Sequence, residues 1–251
     1  MPRAVPAATA TMRVLRFLSG QPSPVPAARI AEAAGVPRST AYHLLSAMAE
    51  EEFVVHYPED RTWGIGMAAW EVGTAFAQQA PLARLARVPL ARLVDHVSQS
   101  AHLAVLHGSD VLYVLEERAP GRPPLVSDVG VRLPAHLTAS GRAILATLSP
   151  AQVRALYPGA ASFVSRTGLG PSSPSTLRSV LAATRQRGYA VEDGEVTQGF
   201  TSVAVPIAHP SVRASVAITW DTHRATPLAP FVQAVRETAA IITARLGRPA
   251  H

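Results

Sequence analysis

The sequence predicts an α+β protein in two parts, a small helical module closed by a β-hairpin and a larger domain of helices around an antiparallel sheet. Three observations predict it. Residues 25–63 read as a short helix, a glycine turn, a second helix and a hairpin. The downstream chain carries helices flanking paired strand runs, without the strand-helix-strand alternation of a parallel sheet. At 251 residues the chain exceeds one average domain, so a module confined to its first quarter must be followed by something larger.

In the module, Thr11, Val14, Leu15 and Leu18 share helical spacing and predict a supporting helix. Residues 1–8, rich in Pro and Ala, are expected to be disordered, with Arg3 in reach of a phosphate. Ala27, Ile30 and Ala34 give the next helix an inward edge. Gly35-Val36-Pro37 is the turn, in which Gly35 supplies a positive φ and Pro37 starts the following helix with φ preset. There Ala41, Leu44, Leu45 and Met48 form one apolar stripe. The other face holds Arg38, Ser39, Thr40, Tyr42, His43 and Ser46, side chains suited to base edges and phosphate oxygens in a major groove. Residues 53–57 and 61–65 are β-branched and aromatic runs around Pro58-Glu59-Asp60, which predicts a hairpin. The order spells a winged helix-turn-helix, with Arg61 on the wing as a further contact to double-stranded DNA. Two amphipathic helices around a glycine also occur in folds that never touch DNA; the hairpin is what favours DNA.

The net charge is +6 and every basic residue is an arginine, which fits a nucleic-acid partner and equally a codon bias toward Arg, Ala and Pro. Through residue 66, six arginines face six acids, so the excess lies beyond, where 17 arginines face 11 acids. Before the cluster Glu50-Glu51-Glu52, however, five arginines stand against Glu32 alone. The helical part is basic and the wing is not. The absence of cysteine excludes disulfides, thiolate nucleophiles and Cys-ligated zinc. No apolar run approaches the about 20 residues that span a bilayer, and the N-terminus lacks a secretory apolar core, so a cytoplasmic protein with no membrane partner is expected.

Residues 67–79 predict an Ala-rich linker helix with Trp70, Val72 and Phe76, closed by Pro81. A helix over 82–100, open to a break at Pro89, leads to strands 101–107 and 111–117 around Gly108-Ser109-Asp110. A Pro/Gly loop over 119–124 precedes an extended run 125–133 and a helix 138–148. Ser149-Pro150 caps a short helix. A loop at 168–174, a helix at 175–187, strands 201–207 and 213–220 and an amphipathic helix 228–246 complete the chain. The expected domains are 1–66, the linker helix 67–81, and 82–248.

Four segments carry a resemblance. Ile30-Ala31-Glu32-Ala33-Ala34-Gly35 with residues 38–45, the run 133–146 (Leu-Pro-Ala-His-Leu-Thr-Ala-Ser-Gly-Arg-Ala-Ile-Leu-Ala), the run 187–195 and the run 199–207 together resemble the IclR-type transcriptional regulators over nearly the full length. His43 stands where that family commonly has arginine. The resemblance implies a GAF-like C-terminal domain that binds a small effector, often an organic or aromatic acid, and protomers that pair as homodimers or tetramers. It implies an effector-responsive transcriptional regulator, with repressor as the default and activator open. Carried over from the family's pocket, Glu192 or Asp193 and Ser202 would supply side-chain contacts, and Leu125, Leu133 and Val203 the apolar wall.

The residues themselves add an anion site at 138–141, where a helix's first turn presents unpaired N–H groups and the small Ala139, Ser140 and Gly141 let a ligand approach. The bland alternative is that Ser140 caps the helix and Gly141 permits close packing. Two rivals of other classes are a small-molecule enzyme on the second domain and a helix-turn-helix that contacts protein. Ser140, His136 and Asp193 could be imagined as a hydrolase triad, but the serine lacks a Gly-x-Ser-x-Gly elbow. His96, His102 and His107 lack metal-ligand spacing and are expected to face solvent or bond locally, and Glu116 and Glu117 point to opposite faces of a strand. Arg84, Arg87 and Arg92 read as a solvated helix face. No catalytic residue, metal or cofactor is expected.

Overall fold

The computed structural model describes residues 5–79, 81–223 and 227–247, with side chains at 74–79 and 81 left aside. Arg3 and the Phe76 side chain lie outside the described residues. The chain divides into two compact units, Met1–Gln79 and Ala80–His251.

In the first unit, α1 (Pro6–Leu18) begins where disorder was expected, because Pro6 sits at a helix start that needs no N–H from it. Ala10, Val14 and Leu18 are its buried edge. A two-residue strand, β1 (Val25–Pro26), leads into α2 (Ala27–Ala34), which ends on Gly35 at φ 69°. Pro37 is the cap of α3 (Arg38–Glu50), not its first helical residue. Ala41, Leu45 and Met48 are buried and Leu44 is half-buried. The wing pairs β2 (Val54–Tyr57) with β3 (Thr62–Ile65), His56 opposite Trp63, and β1 adds a third strand that periodicity could not reveal at two residues. Val14, Ile30, Leu45, Val54 and Trp63 meet in one core. The helix α4 (Met67–Gln79) follows.

In the second unit, α5 (Pro81–Val97) runs through Pro89 unbroken. Proline removes the N–H that Leu85 O would accept; Arg245 Nη1 donates to that carbonyl instead, at 3.0 Å. The strands β4 (Ser100–His107), β5 (Asp110–Glu117) and β6 (Arg132–Pro134) come next. The expected extended run 125–133 is therefore corrected: only its last residues pair with β5, and the rest is irregular loop. After them come α6 (Ala139–Thr147), α7 (Pro150–Leu156), a 3-10 turn at Ala160–Ser162, α8 (Pro174–Arg187) and β7 (Ala190–Asp193), a strand too short to predict. β8 (Phe200–Pro206), β9 (Ala214–Asp221) and α9 (Leu228–Leu246) complete the unit.

The strands form one antiparallel sheet in the order β6-β5-β4-β9-β8-β7, because β4 pairs with β9 and fuses the two hairpins. α5 and α9 pack on one face over Leu103, Val203, Val216 and Ile218. The other face receives α6 through a contact of small residues, Ala139 and Ala143 against Ala190, Ala204 and Ala217. That close approach is what brings the first turn of α6 down to the sheet.

Candidate functional site

Two sites emerge, one in each unit. On α3, Arg38, Ser39, Thr40, Tyr42, His43 and Ser46 are all exposed, opposite a stripe locked in the core. Tyr42 keeps 54% of its surface accessible, so its hydroxyl and ring are available to a partner. Pro37 offers no side-chain cap, so the first turn of α3 also presents free backbone donors. Arg61 is exposed in the wing turn, at φ 52°.

In the second unit a cavity of about 60 Å³ opens between the first turn of α6, the sheet, and the loops at 124–127 and 196–200. Of the expected residues, Leu125, Leu133, Ala139, Ser140, Glu192 and Ser202 line it. Gly141, Asp193 and Val203 do not, and each has a physical reason. A Cβ on Gly141 would lie 2.2 Å from Ala135 O, so this glycine permits close packing. Asp193 follows Glu192 on a strand and points the other way, where its Oδ1 accepts from the Thr201 hydroxyl at 2.7 Å. Val203 likewise alternates with Ser202 and is buried under α5 and α9.

The cap of α6 is Thr138, not Ser140: Thr138 Oγ1 accepts from Gly141 N at 2.9 Å. The amides of Ala139 and Ser140 are left without intrahelical acceptors, and the Ser140 side chain is free to face the cavity. Tyr113 sits against the Ser140 and Thr138 hydroxyls, and burial pushes its phenol well above the ordinary range, so it is a neutral donor. Across the cavity, Glu192 is 3% exposed and its Oε1 accepts from Val196 N at 3.0 Å. Burial, aided by the nearby Glu195 charge, pushes its carboxyl up to about 7, against the opposing pull of Val196 N–H, Ser202 and Arg142. Beside it, Ser202 Oγ and Thr219 Oγ1 share a hydrogen bond of 2.9 Å.

His102 corrects an expectation. His96 and His107 are exposed, but His102 is 1% exposed, lines the cavity, and meets Ser127 Oγ through Nε2 at 3.4 Å. Burial first and the Arg118 charge second pull its pKa down to about 4, so it is neutral at pH 7, and its Nδ1 has no hydrogen-bond partner. The signal lay in β4, where apolar residues at both parities mark a strand covered on both faces. Tyr113, Ser127 and Thr219 were missed for the opposite reason: their place depends on which strands become neighbours. The imagined triad does not assemble, since His136 Nε2 donates to Val164 O at 3.0 Å and Asp193 is engaged by Thr201. Among the described residues no helix is long and apolar enough to cross a membrane.

Comparison with known proteins agrees with this division. The model of the IclR helix-turn-helix domain matches residues 7–58, and that of the bacterial transcriptional regulator IclR C-terminal domain matches residues 74–244. The acetate operon repressor of Salmonella typhimurium is 30% identical over 200 residues, covering 78% of this chain and 72% of its own. An IclR transcriptional regulator from Alicyclobacillus acidocaldarius superimposes with a TM-score of 0.84 at 26% identity, covering 98% of this chain and 100% of its own. An IclR homologue from Microbacterium hydrocarbonoxydans, solved with 4-hydroxybenzoate, does so with a TM-score of 0.78 at 25% identity, covering 96% of this chain and 98% of its own. A helix-turn-helix unit and a sheet domain, matched in that order by the two halves of one family, lead to one conclusion: the chain belongs to the IclR family of bacterial transcriptional regulators.

Proposed function

We propose that this regulator is a repressor that reads operator DNA as a homodimer and is controlled by a small hydroxylated carboxylic acid held in the cavity. The observation that carries the effector class is the polarity of the two walls. One presents the Ala139 and Ser140 amides at a helix N-terminus, suited to a carboxylate. The other presents Glu192, which spends much of its time protonated near pH 7, beside the Ser202 and Thr219 hydroxyls, suited to a ligand hydroxyl. Leu125 and Leu133 supply the apolar sides. The Microbacterium relative's 4-hydroxybenzoate has this pattern of groups. Size favours something smaller here: the cavity is about 60 Å³, whereas about 150 Å³ accommodates a benzene ring. A hydroxy acid of three or four carbons fits the cavity as it stands; an aromatic acid requires the loop carrying Leu125 to move outward.

For the DNA contact, Arg38, Ser39, Thr40, Tyr42 and His43 are the reading face and Arg61 a wing contact. Exposed Ile65, Met67 and Trp70 form an apolar patch that a second protomer would cover. No catalytic step is assigned. The test is calorimetry of the full-length protein with lactate, glycerate and 4-hydroxybenzoate, repeated with Ser140→Trp. Binding of a hydroxy acid that the variant loses supports the reading, and equal binding by the variant places the effector elsewhere.

A further inference from the structure

A second concavity of about 130 Å³ lies between α7 and α8 and shares no lining residue with the effector cavity. Its floor is Val153 and Tyr157 from the α7 side and Leu177 and Leu181 from α8, all buried. The Tyr157 hydroxyl donates to Ser109 O at 2.9 Å, so the ring offers the cleft only its apolar surface. Arg154 on α7 and Arg178 and Arg185 on α8 form the rim, and no acid lines the cleft. Arg178, Leu181 and Arg185 share one face of α8 by their spacing. Arg185 is fixed in place, donating from Nε to Ala146 O at 2.8 Å and from Nη2 to Leu148 O at 3.4 Å. Among the described residues Arg154 and Arg178 have neither a hydrogen bond nor an ion pair.

From this we infer that the α7–α8 cleft binds a small amphipathic carboxylate, its hydrocarbon part over Val153 and between Pro150 and Pro174, and its carboxylate between Arg154 and Arg178. Volume and charge both select that chemistry. The cleft approaches the about 150 Å³ that takes a benzene ring, so one ring or a chain of about six carbons fills it. Two unpaired guanidinium groups at the edge of an apolar floor favour an anionic head over a neutral or cationic one. A polar solute would gain nothing from the apolar walls at Pro150, Val153 and Pro174, and an uncharged hydrocarbon would leave the arginines unpaired.

The experiment is calorimetry of the full-length protein with hexanoate, with hexan-1-ol and hexylammonium as controls. Hexanoate is expected to bind more tightly than either control and to weaken by about tenfold or more in the R154Q/R178Q double variant, whose exposed substitutions leave the core untouched. In R154E/R178E the preference should pass to hexylammonium. Ser140→Trp, which blocks the effector cavity, should leave hexanoate binding in the cleft unchanged. Hexanoate affinity that R154Q/R178Q does not alter overturns the proposal. So does an absence of hexanoate binding, in which case a changed sedimentation coefficient in R154E/R178E would make the cleft a contact between copies of the chain.

Discussion

Arg142 and Glu195 form an ion pair at 2.9 Å with the arginine side chain 4% and the glutamate side chain 15% exposed. Arg142 Nε donates to His136 O at 2.8 Å and Nη1 to Val191 O at 2.9 Å, so one guanidinium joins α6, the loop before it, β7 and the segment that follows β7. That segment carries Val196 and Thr197 in the cavity wall, and Val196 N in turn holds Glu192. Removing the arginine leaves a largely buried carboxylate with only the Asp193 N–H to hold it and takes the donor from two carbonyls. Arg142→Ala is expected to cost about 3–5 kcal/mol of the second unit's stability, against about 1–2 kcal/mol for Glu195→Gln, which keeps a hydrogen-bond acceptor. Denaturant unfolding of both variants checks this, and an unchanged midpoint in Arg142→Ala would count against the clamp.

The cavity also holds two buried groups whose titrations oppose one another. Glu192 is raised from 4.5 to about 7, so between those values the folded protein binds more protons than the unfolded chain, and stability falls as pH rises. His102 is lowered from 6.5 to about 4, so the folded protein binds fewer protons over that range, and stability rises with pH. Between pH 4.5 and 6.5 the two slopes largely cancel. Glu192→Gln should therefore unmask a stability that increases from pH 4.5 to 6.5. His102→Asn should unmask one that decreases, each by about 2–4 kcal/mol across its window. Melting temperatures across that range measure it; parallel curves for wild type and both variants would mean that neither group is perturbed by the fold.

What could be read from the sequence was local. The stripe Ala41, Leu44, Leu45, Met48 and the positive φ of Gly35 depend on a few neighbouring residues, and both stand, with Leu44 only half-buried at the stripe's edge. Membership of the cavity is a matter of strand parity and pairing. Ser202 lies opposite Glu192 across β7 and β8, so naming Ser202 selects Glu192 and rejects both Asp193 and Val203, but only once the register is known. The loop at 119–124 stands as expected, whereas the extended run from 125 does not: its backbone is held by scattered bonds such as Gly130 N to Tyr113 O, which leave no periodic trace in the residues. His102 was misjudged because a polar residue in a strand reads as solvent-facing until the second layer is known to cover that face.

Gly141 separates two expectations by magnitude. Inside a helix, Gly→Ala ordinarily stabilises by about 1 kcal/mol through backbone entropy. Here the added methyl would stand 2.2 Å from Ala135 O and 2.3 Å from Ala135 Cα, backbone atoms that cannot rotate away. The clash should win, with a net cost of about 2–4 kcal/mol and a displaced α6 that also weakens effector binding. A Gly141→Ala protein as stable as wild type would show that α6 can move off the 135–138 turn at little cost.

The DNA face gives the last expectation. Arg38 is exposed at the first turn of α3, and the nearest acid on the preceding helix, Glu32, is one of few in the basic helical part of the module. If Arg38 reads a base, Arg38→Ala should cost about 1–3 kcal/mol of operator affinity and relax preference at one position. If it holds a phosphate, affinity should fall on all sequences alike and the salt slope should drop by about one. Arg61 in the wing turn should behave only in the second way, and more weakly than Arg38, because Glu59 and Asp60 beside it repel the phosphates it would hold. An operator selected from a random library, with binding measured between 50 and 200 mM salt, separates the cases. Wild-type affinity and slope in both variants would move the DNA contact away from α3 and the wing, and with it the orientation in which two protomers could meet a palindromic site.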